Sequence, residues 1–210
     1  MSETNRDVLL MALLPDVPFD GWTRRALLKA ARQAGVSAAE AASQFPGGAA
    51  DMVAEFSRWA DRQMLARLER LDLSGLRTHE KVAAAAMARL EALALHREAV
   101  RRALRVLAQP HNAPLAARLV YETVDAIWYA VGDESTDFSF YTKRGILAGI
   151  YATTTLYWLE DRSANFTDTR DFLERRLAET GALPQWRQSV SSRLEALPNP
   201  FRFARALRGK

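Results

Sequence analysis

Three histidines, His79, His96 and His111, and the carboxylates Glu122, Asp125, Asp133, Glu134 and Asp137 have the widest chemical reach in this 210-residue chain. Imidazoles ligate metals or move protons, and paired carboxylates do acid–base work. A helical di-iron site places a Glu three residues before each ligating His, and none of these histidines has one. The chain carries no His-Glu-x-x-His pair, Walker A loop, Gly-x-Gly-x-x-Gly turn or Gly-x-Ser-x-Gly elbow. It has no cysteine, so thiolate metal sites, Cys nucleophiles and disulfides are all absent. The carboxylates read more simply as a solvated face and loop, and His111, flanked by Pro110 and Pro114, as a turn residue. No catalytic residue, metal or cofactor is expected.

The elements that would position any site follow from composition. With 49% hydrophobic and 26% charged residues the chain has enough apolar content to fold around a core. Helical spacing dominates, Ala, Leu, Arg and Glu outweigh β-branched residues, and no alternating strand is visible, so the expected class is all-α. Helices are expected at about 6–14, 22–34, 38–44 (capped by Ser37), 49–71, 81–95 and 98–108, with a kink near His96. Further helices are expected from Leu115 to Gly132, from about Ser135 or Phe138 to Leu159, and up to Thr180 with Thr167 or Asp168 as cap. The cluster Pro15–Gly21 reads as a turn, and Gln109–Pro114 as a stop. Residues 1–72 thus form a helix-turn-helix-like unit, 73–183 a helical core, and 184–210 a separate tail.

Net charge is +4, and its location matters more than its size. Residues 184–210 hold six basic residues and one acid, leaving 23 basic and 24 acidic residues over 1–183. The basic character belongs to the tail. There, apolar and aromatic residues alternate with cations: Trp186, Arg193, Phe201, Arg202, Phe203, Arg205, Leu207 and Arg208. That pattern suits an amphipathic segment on an anionic membrane surface, where each cation contributes about 1 kcal/mol. A segment docked on its own body or on a dimer mate is the alternative. The longest uncharged stretch, Gly145–Leu159, is shorter than a membrane span requires.

The segment Trp22–Pro46 imitates the layout of TetR-type repressors, yet the would-be reading helix, Ala38–Gln44, has one acid, one Gln and no cation. Phosphate and base-edge contacts need Arg, Lys, Asn or Gln, so nucleic acid is not expected as a partner.

The central segment carries Pro110-His111-Asn112, Val124-Asp125-Ala126-Ile127-Trp128, Gly132-Asp133-Glu134-Ser135-Thr136-Asp137-Phe138, Tyr141-Thr142-Lys143-Arg144 and Ile150-Tyr151-Ala152-Thr153-Thr154. This run resembles the COQ9 family of ubiquinone biosynthesis proteins. The resemblance implies a TetR-like helical bundle, a homodimer, with an apolar cavity for an isoprenoid lipid or quinone intermediate and no activity of its own. It further implies membrane attachment through the C-terminal segment and presentation of the intermediate to the demethoxyubiquinone hydroxylase. A tail of many buried CH₂ groups, at about 0.8 kcal/mol each, does not leave a bilayer unaided.

Carried over residue by residue, the partner-binding patch falls on Asp137, Phe138, Phe140, Tyr141, Lys143 and Arg144, with Trp128 beside it. Animal relatives carry Trp-Tyr where this chain has Phe140-Tyr141. Cavity lining is expected from Ile146, Leu147, Ile150, Tyr151 and Leu156 with Ile127 and Val131, each of which could instead be ordinary core or dimer interface. Two other readings stay open: a TetR-type transcriptional regulator with an apolar effector pocket, and an enzyme using Glu122 or Asp125. The chain begins almost directly at the first helix, without an Arg-rich presequence. That leads to the expectation of a cytoplasmic protein peripherally attached to the inner membrane of a bacterium.

Overall fold

A computed structural model describes residues 5–132 and 138–181, and these form ten α-helices with no strand among the described residues. The helices are α1 (Asn5–Leu13), α2 (Val17–Asp20), α3 (Arg24–Gln33), α4 (Ala38–Gln44), α5 (Ala49–Leu68), α6 (Thr78–Ala92), α7 (Arg97–Leu107), α8 (Ala113–Ala130), α9 (Phe138–Glu160) and α10 (Thr167–Gly181). The all-α expectation holds, and α4 has the expected bounds. The turn expected at Pro15–Gly21 instead contains α2, because Pro18 lies in a first turn where its missing N–H is not needed. The stop at Gln109–Pro114 is a 3₁₀ turn, Pro110–Asn112, running straight into α8 two residues earlier than expected.

Side chains fix the helix boundaries. Thr23 Oγ1 accepts the Ala26 N–H (3.2 Å) and Ser37 Oγ the Glu40 N–H (3.1 Å), each satisfying an orphan donor of a first turn. Gly35, at φ +68°, turns the chain out of α3 in a conformation other residues adopt at a cost. Neither Thr167 nor Asp168 closes the turn before α10. Asp161 does so, accepting from Ser163 N (2.7 Å), Ser163 Oγ (2.6 Å), Thr169 N (3.0 Å) and the Thr169 hydroxyl.

Helix α5 is the axis of the bundle and packs on α1, α6, α7 and α8, while α9 lies between α8 and α10, and α10 closes against α6. One continuous core runs through it, including Leu10, Leu13, Met52, Met64, Met87, Leu90, Ile127, Leu147, Trp158 and Leu173. Each such side chain contributes about 1.5–3 kcal/mol by leaving water. Trp22 ties the N-terminal unit to this core. Its Nε1–H donates to the Ala99 carbonyl of α7 (3.1 Å), and its ring meets Phe56 of α5 at 5.2 Å. On the same helix, Arg97 and Arg101 of α7 donate to the Trp158 and Leu159 carbonyls, so two cations cap the C-terminus of α9.

Asp161 generates a pH prediction. Burial works to raise its pKa, but the bonds from Ser163 and Thr169 outweigh it and hold the carboxyl at about 2. A carboxyl depressed in the folded state contributes stability above its unfolded pKa, and that contribution is lost as pH falls through the folded value. Between about pH 4 and 2 the protein should lose roughly 1–2 kcal/mol through this group, allowing for solvent screening. Urea titrations at stepped pH should show Asp161→Asn flatter than wild type over that interval.

Candidate functional site

A cavity of about 440 Å³ opens where α5, α6, α7, α8 and α9 converge. Its wall is mostly aliphatic and aromatic, with Phe56, Leu93, Val100, Leu104, Leu119 and Leu156 among the lining residues. The deep side is formed by buried residues of α5, α6, α8 and α9: Ala60, Arg89, Thr123 and Tyr151. The mouth lies where exposed lining residues gather, at Ala108 at the end of α7 and at Ala152 and Leu156 of α9.

A buried ion pair stands behind the deep wall. Arg89 Nε donates to Asp61 Oδ1 at 2.6 Å, Nη1 to the Tyr151 hydroxyl at 2.7 Å, and Nη2 to the Ser57 carbonyl (3.1 Å) and hydroxyl (2.9 Å). Thr123 Oγ1 donates to Asp61 Oδ1 at 3.0 Å, and Thr155 Oγ1 to the Tyr151 carbonyl at 2.8 Å. Burial opposes the charge on Arg89, but Tyr151 and Asp61 outweigh it and hold its pKa above the ordinary arginine value. The network joins α5, α6, α8 and α9 around the cavity.

Of the seven residues expected to line a cavity, Tyr151 and Leu156 do. Ile127, Leu147 and Ile150 are buried in the core, Val131 and Ile146 pack against it, and none of these five lines the cavity. The walls contributed by α5, α6 and α7 are absent from the sequence reading, as are Arg89, Asp61, Ser57 and Thr123. A signal for two of these was present. Arg89 continues the Val82, Ala85, Ala86 stripe of α6, and Asp61 follows Val53, Phe56 and Ala60 on α5, so each charge lies on or beside an apolar face.

A second cluster joins the end of α8 to the start of α9. Arg144 is 5% exposed, donates from Nε to Asp125 Oδ1 at 2.7 Å, and stacks its guanidinium 3.4 Å from the centre of the Phe140 ring. Phe140 and Tyr141 meet edge to face at 5.1 Å, and Lys143 Nζ lies 5.5 Å from the Trp128 ring. Tyr141 is 70% exposed, and Tyr129 near the end of α8 is 81% exposed. The structure therefore brings Trp128, Phe140, Tyr141, Lys143 and Arg144 together, with Phe138 as the first residue of α9. Asp137 lies outside the described residues, as do Asp133, Glu134 and the tail residues Trp186, Arg193, Phe201, Arg202, Phe203, Arg205, Leu207 and Arg208.

The remaining titratable candidates do not converge. Glu122 is paired with Arg58 (3.5 Å) and Arg118 (3.7 Å), while His79 and His111 are exposed. His96 sits edge-on to the Trp59 and Phe56 rings, its pKa lowered by burial. Among the described residues no group of His, Asp and Glu could hold a metal ion, and no helix is long and apolar enough to cross a membrane.

Removing one member of the buried pair strands the other. Asp61→Ala is expected to lower unfolding free energy by about 3–5 kcal/mol. Asp61→Leu combined with Arg89→Met should recover most of that loss, read as urea midpoints of the two variants.

Comparison with known proteins places these features. A COQ9 family model matches residues 113–184. The mitochondrial ubiquinone biosynthesis protein COQ9 of Bos taurus is 34% identical over 198 residues, covering 90% of this chain and 61% of the bovine protein. The mitochondrial COQ9-B of Xenopus laevis is 36% identical over 196 residues, covering 90% of this chain and 67% of its own length. The chain thus spans about three fifths of the bovine relative. Among solved structures, a TetR transcriptional regulator from Nitrosomonas europaea ATCC 19718 superposes with a TM-score of 0.67 at 25% identity, covering 83% of this chain and 96% of that one. The fold is therefore TetR-like. The expectation of a bacterial membrane location is overturned by the same comparison: the relatives from Bos taurus, Xenopus laevis and Drosophila melanogaster are mitochondrial proteins.

Proposed function

The chain belongs to the COQ9 family, and on that premise we propose that it is a lipid-binding accessory protein of ubiquinone biosynthesis, without catalytic activity of its own. It binds isoprenoid quinone intermediates at a membrane surface and presents them to the demethoxyubiquinone hydroxylase. The observation that carries this reading is the 440 Å³ cavity, whose mostly aliphatic and aromatic wall suits part of an isoprenoid chain rather than a polar metabolite. The cluster of Trp128, Phe140, Tyr141, Lys143 and Arg144 is the proposed contact for the hydroxylase, since exposed aromatics beside cations are enriched at interface centres. The basic segment 184–210 is the proposed attachment to anionic lipid, supported by its sequence pattern. A homodimer is proposed on the exposed face of α9 between that aromatic cluster and Leu156, where Gly145, Gly149 and Ala152 form one stripe.

In domain terms, residues 1–72 form the helix-turn-helix-like unit, 73–183 the lipid-binding core and 184–210 the membrane segment. Helix α5 belongs to both of the first two, because its Val53, Phe56, Ser57 and Ala60 line the cavity.

A transcriptional regulator is the second reading. It is favoured by the likeness to the Nitrosomonas protein and by Arg24, Arg25, Lys29 and Arg32 on α3, a helix that crosses the DNA backbone in such units. Against it stands α4, which offers Glu40 and no cation to the groove. Binding to a DNA duplex that weakens steeply with salt would favour this second reading.

Lipid extraction of the purified full chain, with mass spectrometry, should find an isoprenoid quinone or related lipid, and sedimentation of the same sample should give a dimer. Full-length protein should float with anionic liposomes while a version ending at Leu183 stays behind; equal flotation would remove the tail's role. For the partner patch, Tyr141→Ala should weaken hydroxylase capture about tenfold. The thermal midpoint of this variant should stay at the wild-type value, because the side chain is mostly in solvent.

A further inference from the structure

Two of the most exposed large apolar side chains among the described residues stand beside one helix. Leu95, 94% exposed, lies in the 3₁₀ turn that leads directly into α7. Phe19, 83% exposed, belongs to α2, which Arg102 ties to α7 by donating from Nη2 to the Pro18 carbonyl at 2.7 Å. Single apolar residues in water are ordinary, but these two stand among cations. Along α7, Arg101 and Arg102 share Glu98 at 3.8 and 3.2 Å, and Arg101 also reaches Glu160 at 2.9 Å. Arg105, three residues beyond Arg102 and three before Ala108 at the cavity mouth, is exposed and makes no ion pair among the described residues. Gly21 adjoins Arg102, and just after it Arg24 and Arg25 open α3, both exposed and likewise without an ion pair. No acid offsets them in that first turn, although a helix N-terminus favours negative charge. Five arginines thus meet three carboxylates, Asp20, Glu98 and Glu160, and the face is positive.

We infer that this face, formed by α2, the start of α3 and the outer side of α7, rests on an anionic lipid bilayer, with Phe19 and Leu95 among the acyl chains and Arg24, Arg25 and Arg105 at the phosphates. A bilayer fits better than a protein partner. The two apolar tips are separated by charged side chains rather than joined in one dry patch, and a tight protein interface needs such a contiguous centre. Fluid lipid accepts each tip separately, and each cation near an anionic surface adds to the attraction. Two side chains and three unpaired cations are a weak anchor alone, since stable attachment takes a second signal. The face therefore orients a protein that its basic segment 184–210 holds at the membrane, and it brings the mouth at Ala108 to the edge of the contact. The inference rests on the membrane-attachment reading and adds to it which side of the body meets the lipid.

The chain has no cysteine, so a single one can be introduced and labelled with the environment-sensitive dye NBD. Phe19→Cys and Leu95→Cys in the full chain are compared with Leu71→Cys, an exposed position after α5 that has Glu69 and Asp72 beside it. Vesicles of phosphatidylglycerol and phosphatidylcholine in equal parts pellet the bound protein. NBD at 19 and at 95 should shift to the blue and be quenched by lipid carrying a nitroxide on its acyl chain, while NBD at 71 stays as in water. Arg105→Gln, followed by sedimentation without label, should weaken vesicle affinity about fivefold. Protein that pellets with NBD at 19 or 95 unchanged, or quenched no more than at 71, would overturn the proposal and leave attachment through the tail standing, as would an Arg105→Gln affinity equal to wild type. A blue shift without nitroxide quenching would assign the face to a protein contact and equally overturn it. Protein that does not pellet would overturn membrane attachment itself.

Discussion

The pairing of Arg89 with Asp61 is the constraint on which the cavity depends. Two opposite charges taken out of water in the same place gain little net stability over apolar residues of similar volume, but separating them is costly. That asymmetry gives the pair its structural use. Because Arg89 also engages Ser57 and Tyr151, and Asp61 engages Thr123, four helices are held at fixed separations around a space that side chains do not fill. Apolar packing alone is non-directional and favours collapse into such a space. A directional polar frame keeps the helices apart and leaves the cavity open at Ala108, Ala152 and Leu156.

The same logic governs most of the charge in the described residues. Arg62 bridges Asp7 and Glu55, so α1 is bound to α5; Arg58 reaches from Glu55 to Glu122 of α8. Arg102 donates to the Pro18 carbonyl of α2, and Arg170 to Glu91 of α6. These arginines act as struts between helices, using a planar fork and a long apolar stem that lysine does not offer. The sequence pI near 9.7 therefore says little about the field around the body. Over residues 1–183 acids and bases almost cancel, and many of the bases are already engaged.

The helical architecture was legible because it depends on local rules. Alanine and leucine spacing, the Ser37 cap and Gly35 place α3 and α4 almost to the residue, since caps and left-handed turns are decided within four residues. The short α2 was not, because the Pro-Asp-rich composition of Pro15–Gly21 suits a turn and a first helical turn equally. The aromatic cluster at the start of α9 was legible as a sequence motif, and Arg144 shows what the motif does not say: its side chain is buried and its guanidinium stacks on Phe140, which meets the exposed Tyr141 edge to face. The cavity was the least legible feature. Its wall is shared among five helices, and whether an apolar position such as Leu147 or Leu104 faces a neighbour or a void depends on helix rotation, which periodicity does not determine.

Helix α9 links the two proposed sites. Tyr141 in the aromatic cluster and Leu156 at the cavity mouth are both exposed and fifteen residues apart, which at 1.5 Å per residue separates them by about 22 Å along one face. Between them lie Gly145, Gly149 and Ala152, where a second surface can approach the helix backbone closely. A straight, uninterrupted helix of this length is a rigid spacer, held at its C-terminus by Arg97 and Arg101 and near its N-terminus by the Arg144–Asp125 pair. A ligand emerging at the mouth and a protein docked on the aromatic cluster would thus be separated by a distance that the helix fixes. Any surface covering the small residues between them, whether a second copy or lipid, would decide whether that path is open.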